Sequence, residues 1–267
     1  MSPSKIENTI KVENIEVVYK LEEKKIHAVK NASFNVTERK MLGIIGETGS
    51  GKSSLIRALN GLIKSPGDVK FNNLKILDEV GTQKEFNFNK LRGKNVGFIP
   101  QNPFGSLNPV YKISKQFYFI NKRHKIYDVK TLPDKINEAL IDVGINDPDR
   151  VKNSYSFELS GGMAQRVVIA LATFSKPRLL FADEPTTGLD VTVERQLLDN
   201  FFDFVKNKNM TLVLVTHDLG IVAQYCDEAL VMYKGEIVEK GSVNEIFKNP
   251  RDSYTQQLIK ASSEDIS

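Results

Sequence analysis

The stretch Gly46-Glu47-Thr48-Gly49-Ser50-Gly51-Lys52-Ser53 satisfies G-x-x-x-x-G-K-[ST] at every fixed position. Its chemistry is anion binding. The glycines let successive backbone N–H groups turn inward around a negative charge, and a helix that starts where the loop ends adds its free donors and positive dipole end. Lys52 would reach the β- and γ-phosphates of a nucleoside triphosphate, and Ser53 Oγ would be a Mg²⁺ ligand, with Ser54 closing the phosphate-binding run. Three further polar groups follow short apolar runs. Asp183-Glu184 ends Leu179-Leu180-Phe181-Ala182, Gln101 ends Val96-Gly97-Phe98-Ile99, and His217 ends Thr211 to Thr216. An aspartate so placed can hold Mg²⁺ through water, and a glutamate one residue on can accept a proton from an attacking water. A side-chain amide can touch both the cation and that water, and a histidine can reach a γ-phosphate.

The elements that must position these residues can be read from pattern. Met41 to Ile45 is a short buried strand ahead of the loop, and Leu55, Leu59 and Leu62 recur at helical spacing after it. The runs ending at Gln101, Asp183 and His217 read as further buried strands, and the carboxyl edge of a parallel sheet is where ligands sit. Upstream, Ile10 to Tyr19 and His27 to Val36, joined by the charged turn Leu21 to Lys25, predict a small antiparallel sheet. Tyr19 at its end either stacks on an adenine ring or packs as an edge-strand aromatic. A turn at Ser65-Pro66-Gly67-Asp68 leads to a strand over Val69 to Leu77, and residues 78–92 read as a loop with a short helix.

From Asn102 to about Thr173 the texture is helical. Pro133 opens a helix striped by Ile136, Leu140 and Val143 and closed by Gly144, and an apolar helix runs from Val167 to Phe174. Ahead of it, Ser160-Gly161-Gly162 reads as a donor-rich helix N-terminus. Lys122-Arg123-His124-Lys125 lacks the aromatic platform of a nucleic-acid site and reads as a solvated face. Gly188-Leu189-Asp190 is expected in a turn before a helix from Val191 to Lys206. Val231 to Tyr233 and Glu236 to Val238 predict a closing hairpin, and Ser242-x-x-Glu245 a capping box. Residues 1–9 and 262–267 are expected to fray.

Composition narrows the class. With 267 residues and 40% hydrophobic content the chain can bury a sizeable core. A net charge of +4 suits an anionic ligand or a membrane surface without demanding nucleic acid. Cys226 is the single cysteine, which excludes an intrachain disulfide and a cysteine-built metal cluster and fits a reducing compartment. The N-terminal residues lack the apolar core of a signal peptide. The longest apolar runs, Val167 to Ala172 and Leu212 to Val215, fall far short of the ~20 residues that span a bilayer, so a membrane role is expected to come through a partner.

Taken in order, the loop at 46–53, Gln101, LSGGM at 159–163, LLFADEP at 179–185, Gly188-Leu189-Asp190 and His217 resemble the ABC-type ATPase domains over nearly the whole chain. The resemblance implies one α/β domain over 1–267, with a RecA-like P-loop NTPase core, an N-terminal antiparallel β-subdomain and an inserted α-helical signature subdomain. The β-subdomain and core would occupy about 1–101 and 174–245, the signature helices about 102–173 and a helical tail 246–267. It implies ATP and Mg²⁺ as cofactors. Tyr19 is similar to the adenine-stacking aromatic, and Gly49, Gly51, Lys52 and Ser53 to the phosphate and Mg²⁺ residues. Gln101 resembles the residue sensing Mg²⁺, nucleophile and membrane partner. Asp183 corresponds to the Walker-B aspartate, Glu184 to the catalytic base and His217 to the switch histidine. Ser160, Gly161 and Gly162 would face the γ-phosphate of a nucleotide held by an opposing subunit.

QNPFGSLNP at 101–109, EPTTGLDVTV at 184–193 and IFKNPRDSYTQQLIKA at 246–261 narrow the resemblance to importers of peptides and of nickel or other metal chelates. These commonly pair two non-identical ATPase chains, and Met163 in SGGM, with LNPVYKISKQ at 107–116, looks like the first of the two. The implied partners are that second ATPase, two membrane permease subunits and, indirectly, an extracytoplasmic binding protein, with no nucleic acid. The chain would lie at the cytoplasmic face of the membrane. The compact length looks more like the nickel and metal-chelate members. The alternative, a soluble ABC-type clamp acting on nucleic acid or ribosomes, usually carries a coiled coil, a zinc module or a second cassette. None is visible here. A guanine-reading N-K-x-D is absent as well.

Overall fold

The computed structural model describes residues 8–21, 24–186 and 191–264, so the expected Gly188-Leu189-Asp190 turn lies outside the described residues. By internal packing the chain divides into two units, 1–90 with 211–267 and 91–210.

The first unit opens with β1 (Asn8–Lys20) and β2 (Lys25–Thr37), an antiparallel pair, followed by β3 (Met41–Ile45) and α1 (Lys52–Leu59). Alternate residues of β1, Ile10, Val12, Ile15 and Val17, are buried where the register allows. The alternation slips at Asn14, which takes a left-handed φ of 53°. Asparagine tolerates that region, and Ser33 Oγ accepts its N–H at 2.9 Å. The other edge of β1 carries β4 (Gly67–Lys70) opposite Glu16–Tyr19 and β5 (Asn73–Ile76) opposite Ile10–Glu13, and β6 (Glu79–Gly81) extends β5. The single strand expected over Val69 to Leu77 is therefore two. The kink in β1 cannot be followed by one straight partner, and Asn72 N instead donates to Glu13 O at 3.0 Å. The short helix expected within 78–92 is a 3₁₀ turn at Phe88–Lys90, and the same stretch also contains β6.

The helix after the loop stops at Leu59 and does not reach Leu62. Gly61, at φ 60°, ends it. Its N–H donates to Ala58 O at 2.9 Å, and Leu62 N donates to Arg57 O at 2.8 Å. That bond pair is the Schellman motif, and it turns the third leucine of the stripe into a cap contact.

In the second unit β7 (Val96–Ile99) is followed by α2 (Pro103–Ser106), α3 (Ile113–His124), α4 (Leu132–Asp142), α5 (Pro148–Asn153) and α6 (Gly161–Thr173), then β8 (Leu179–Asp183) and α7 (Val191–Asn207). β7 and β8 are parallel, with Ile99 opposite Ala182. The helices close around Phe117, which is fully buried and meets Phe174 edge-on at 4.8 Å, while Tyr127 packs on Phe174 from another side at 5.1 Å. Arg166 Nη1 donates to Val143 O at 2.7 Å, satisfying an end carbonyl of α4 beside Gly144 at φ 81°. The 122–125 basic cluster closes α3 with Lys122, Arg123 and Lys125 exposed, as the solvated reading requires. His124 is half-buried; burial, with Arg123 and Lys94 nearby, holds its pKa below the usual value.

The chain then returns to the first unit through β9 (Thr211–Val215), α8 (Leu219–Tyr225), β10 (Glu228–Tyr233), β11 (Glu236–Ser242), α9 (Val243–Lys248) and α10 (Ser253–Glu264). β3 lies between β10 and β9, parallel to both, and β11 pairs antiparallel with β10. Every residue of β3 and β9 is buried, as continuous apolar runs in parallel strands require. The hairpin expected at 231–238 thus starts from a core strand. The capping box is present, with Ser242 and Glu245 side chains each serving the other's backbone N–H. Among the described residues no helix is long and apolar enough to cross a membrane.

Phe117→Ala removes a ring with no exposed surface and should lower unfolding free energy by about 3–5 kcal/mol. Phe119→Ala, from a ring 42% exposed two residues away, should change it by about 0.5 kcal/mol or less. Urea unfolding of the two variants checks the difference.

Candidate functional site

The predicted anion loop leaves β3 at Ile45 and enters α1 at Lys52. Two of its glycines are fixed by close approach of other backbone. A Cβ on Gly46 (φ 145°) would stand 2.1 Å from Met232 O, and one on Gly51 (φ 104°) would stand 2.0 Å from Ala28 O. Only glycine lets β10 and β2 press this tightly on the loop. Gly51 is also the N-cap of α1, and no side chain caps that end. A helix start of this kind presents first-turn amides and the positive end of the dipole, which suits an anion. Lys52 is 5% exposed, and its Nζ donates to Gly46 O at 2.7 Å and to Glu47 O at 2.9 Å. Ser50 Oγ is buried without a hydrogen-bond partner, while Ser50 O accepts from Gly235 N at 3.0 Å. An uncapped helix end, an ammonium held at the loop's mouth and an unsatisfied hydroxyl together fit a triphosphate.

Tyr19 and His217 lie in the same unit as the loop. Tyr19 is half-buried, with its hydroxyl 3.3 Å from Ser54 Oγ, and a Cβ on the facing Gly67 would meet its ring at 3.0 Å. It stands between β2 and β4, paired with Ile26 and Gly67, so it is not the edge-strand aromatic of one reading, and its hydroxyl meets the first turn of α1. His217 follows β9, the strand beside β3, where Thr216 N donates to Ile44 O at 3.3 Å. The histidine is exposed two residues beyond β9, at the end of the sheet where β3 passes into the loop.

The second unit brings together Gln101, Asp183 and Glu184. With β7 and β8 in parallel register, the residues after Ile99 and Ala182 leave the sheet at one edge, and Gln101 Nε2 donates to Glu184 Oε2 at 2.9 Å. Asp183 is the last strand residue and has no exposed surface. Glu184 takes a left-handed φ of 46°, an uncommon conformation for a residue with a side chain. Elsewhere in this unit Ser160 caps α6, its Oγ accepting from Met163 N at 3.4 Å, and Gly161 and Gly162 form the helix's first turn. The helix N-terminus read at Ser160-Gly161-Gly162 is therefore present, and the apolar run from Val167 continues the same helix. Among the described residues no three His, Cys, Asp or Glu side chains gather as a metal site. The Asp183 carboxylate at the end of β8 is an oxygen donor of the kind Mg²⁺ takes, with one or two protein oxygens and the rest from phosphate and water.

Sequence reasoning overlooked the loop's supports. Met232 O, Gly235 N and the Tyr254 hydroxyl, which accepts from Glu47 N at 3.0 Å, all touch it from the chain's last third. Sequence separation hid them, and the Lys234-Gly235 turn was the one local hint.

Residues 29–187 match the ABC transporter family model. The chain belongs to the ABC transporter family. It is 40% identical over 258 residues to the oligopeptide transport ATP-binding protein OppD of Lactococcus lactis, covering 96% of this chain and 76% of that protein. To the dipeptide transport ATP-binding protein DppD of Haemophilus influenzae it is 41% identical over 239 residues, 88% of this chain and 71% of that one. Among solved structures, cbiO1 of Clostridium perfringens, part of the ABC transporter complex cbiONQ, superposes with a TM-score of 0.71 at 27% identity over 97% of both chains. The ATP-binding cassette MJ0796, a dimer bound to ADP and Pi in a post-hydrolysis state, gives 0.71 at 27% identity over 88% of this chain and 98% of its own. The ABC ATPase fold expected from sequence is the one present, and the enzymatic activity of this ABC ATPase is ATP hydrolysis.

Gly46→Ala should weaken ATP binding roughly tenfold or more, a cost of about 1.4 kcal/mol or above, because its methyl must displace either the loop or β10. Calorimetric titration with ATP reads the change.

Proposed function

We propose that this ABC ATPase powers a membrane importer of oligopeptides or dipeptides, and that the expected site residues carry its chemistry. The observation behind the chemical half is the 2.9 Å bond from Gln101 Nε2 to Glu184 Oε2 at the carboxyl edge of two parallel strands. A carboxylate there, oriented by an amide, is suited to take a proton from the attacking water. The cargo class rests on the similarity to OppD and DppD over most of the chain.

In this reading the backbone from Gly46 through Ser54 cradles the phosphates, and the Lys52 ammonium, kept on Gly46 O, turns its other N–H groups to phosphate oxygens. Tyr19 supports the adenine, and His217 addresses the γ-phosphate. Ser53, Gln101 and Asp183 would hold Mg²⁺, which supplies neutralisation of phosphate charge when bound. Helices within 102–173 form the signature subdomain, and residues 246–267 a helical tail. Ser160, Gly161 and Gly162 offer α6 donors to a nucleotide held by a second, non-identical ATPase chain. Two permease subunits and an extracytoplasmic binding protein complete the assembly, with this chain on its cytoplasmic face.

Glu184→Gln should retain ATP affinity while ATP turnover by the assembled transporter falls by roughly 10²-fold or more. Uptake of a labelled tripeptide should be lost with it. Wild-type turnover would remove Glu184 from its role as base. Uptake of ⁶³Ni that depended on this chain, with tripeptide uptake unaffected by its loss, would overturn the peptide reading.

A further inference from the structure

One support of the phosphate loop comes from outside its motif. The peptide joining Gly46 to Glu47 is held on both sides. Its carbonyl, Gly46 O, accepts from Lys52 Nζ at 2.7 Å, and its amide, Glu47 N, donates to the Tyr254 hydroxyl at 3.0 Å. Rotating that peptide would break both bonds, so the hydroxyl and the ammonium fix each other through it.

The tyrosine is itself immobilised. Its ring stacks on Tyr233 with centroids 4.1 Å apart and planes 27° apart. Asp252 Oδ1 accepts from Tyr254 N at 2.8 Å and from Thr255 N at 3.3 Å, and the Glu239 carboxylate accepts from Arg251 N at 2.9 Å and Asp252 N at 3.2 Å. Thr255 has no exposed surface, and Leu258 and Ile259 pack on the cluster that contains Ile45, the residue before the loop. The start of α10 is therefore a rigid mount. Burial holds the hydroxyl's pKa above the usual phenol value, so it stays neutral at physiological pH.

We propose that Tyr254 is a positioning residue for ATP binding: its hydroxyl fixes the Gly46–Glu47 peptide, and through Gly46 O it holds the Lys52 ammonium in register for the phosphates. This rests on the reading of the 46–53 loop as the ATP site. The tyrosine acts through the peptide and Lys52, so it tunes binding and leaves the proton transfer at Glu184 alone.

The test is Tyr254→Phe in the full chain, which keeps the ring and removes the hydroxyl. Glu47 is exposed, so water replaces the lost acceptor and the fold is little affected. The dissociation constant for ATP should rise about two- to tenfold, the worth of one such hydrogen bond, with Tm within about 2 °C of the parent. In the assembled transporter KM should rise by a similar factor at unchanged kcat. Lys52→Ala, measured alongside, separates the two readings. If it abolishes binding while Tyr254→Phe binds ATP as the parent does, the positioning role is wrong and the loop assignment stands. If Tyr254→Phe loses affinity and Tm together, the tyrosine only packs, and the proposal also fails. If Lys52→Ala binds ATP normally, the loop is not the site and the proposal falls with it.

Discussion

A buried ammonium must be paired, and in this protein the pairing of Lys52 shapes the loop around it. To bring two carbonyls, Gly46 O and Glu47 O, within 2.9 Å of Nζ the chain leaving β3 must double back over the first turn of α1. That reversal presses the loop against β10 and β2 so closely that no side chain fits at Gly46 or Gly51. The neutral carbonyls are adequate partners for the charge but weaker than phosphate oxygens. The same packing that satisfies the lysine therefore holds its ammonium where it can donate to an anion as well.

The strands explain why such groups gather. Parallel strands buried on both faces must be apolar throughout, so polar residues are displaced to the positions just past their ends. β3 ends in the loop, β9 in His217, β7 in Gln101 and β8 in Asp183-Glu184. Hydrogen bonding between neighbours then sets which ends coincide. The register of Ile99 with Ala182 brings Gln101 to Glu184, and that of Ile44 with Val215 sets His217 beside the loop strand. Burial and register bring these strand ends together, and the Gln101–Glu184 bond then joins two of the side chains.

Those apolar runs are also why the candidate site residues stand out in the sequence. A short, mostly apolar run with a polar residue within two positions of its end is a local signal, and β3, β7, β8 and β9 each carry it. Less was legible where the outcome depended on a distant partner. The division of 69–77 into β4 and β5 follows from the left-handed Asn14 in β1, some sixty residues away. The start of α6 was legible at Ser160-Gly161-Gly162 although glycine disfavours helix by about 1 kcal/mol, because the Ser160 cap and the apolar helix that follows outweigh it. Leu62 fits the helical stripe by spacing, and only the bonds around Gly61 show that it lies past the end. Tyr254 carries no mark of its own at all, since its importance comes from a backbone amide 207 residues earlier.

The adjacent carboxylates show how one backbone feature assigns two environments. Asp183 remains on β8 and is wholly enclosed, whereas Glu184 turns through the left-handed region and is only half-buried. Had Glu184 continued the strand, its side chain would have pointed to the opposite face of the sheet, away from the edge that Gln101 occupies. The left-handed φ costs of order 1 kcal/mol and persists only where surrounding contacts over-determine it. The strand on one side and the Gln101 amide on the other supply that determination. Residues of the same charge, one bond apart, are thereby kept from sharing a site. A carboxylate held inside and another carried to the edge is what the proposed cation ligand and the proposed base would require, one facing a metal and the other a water.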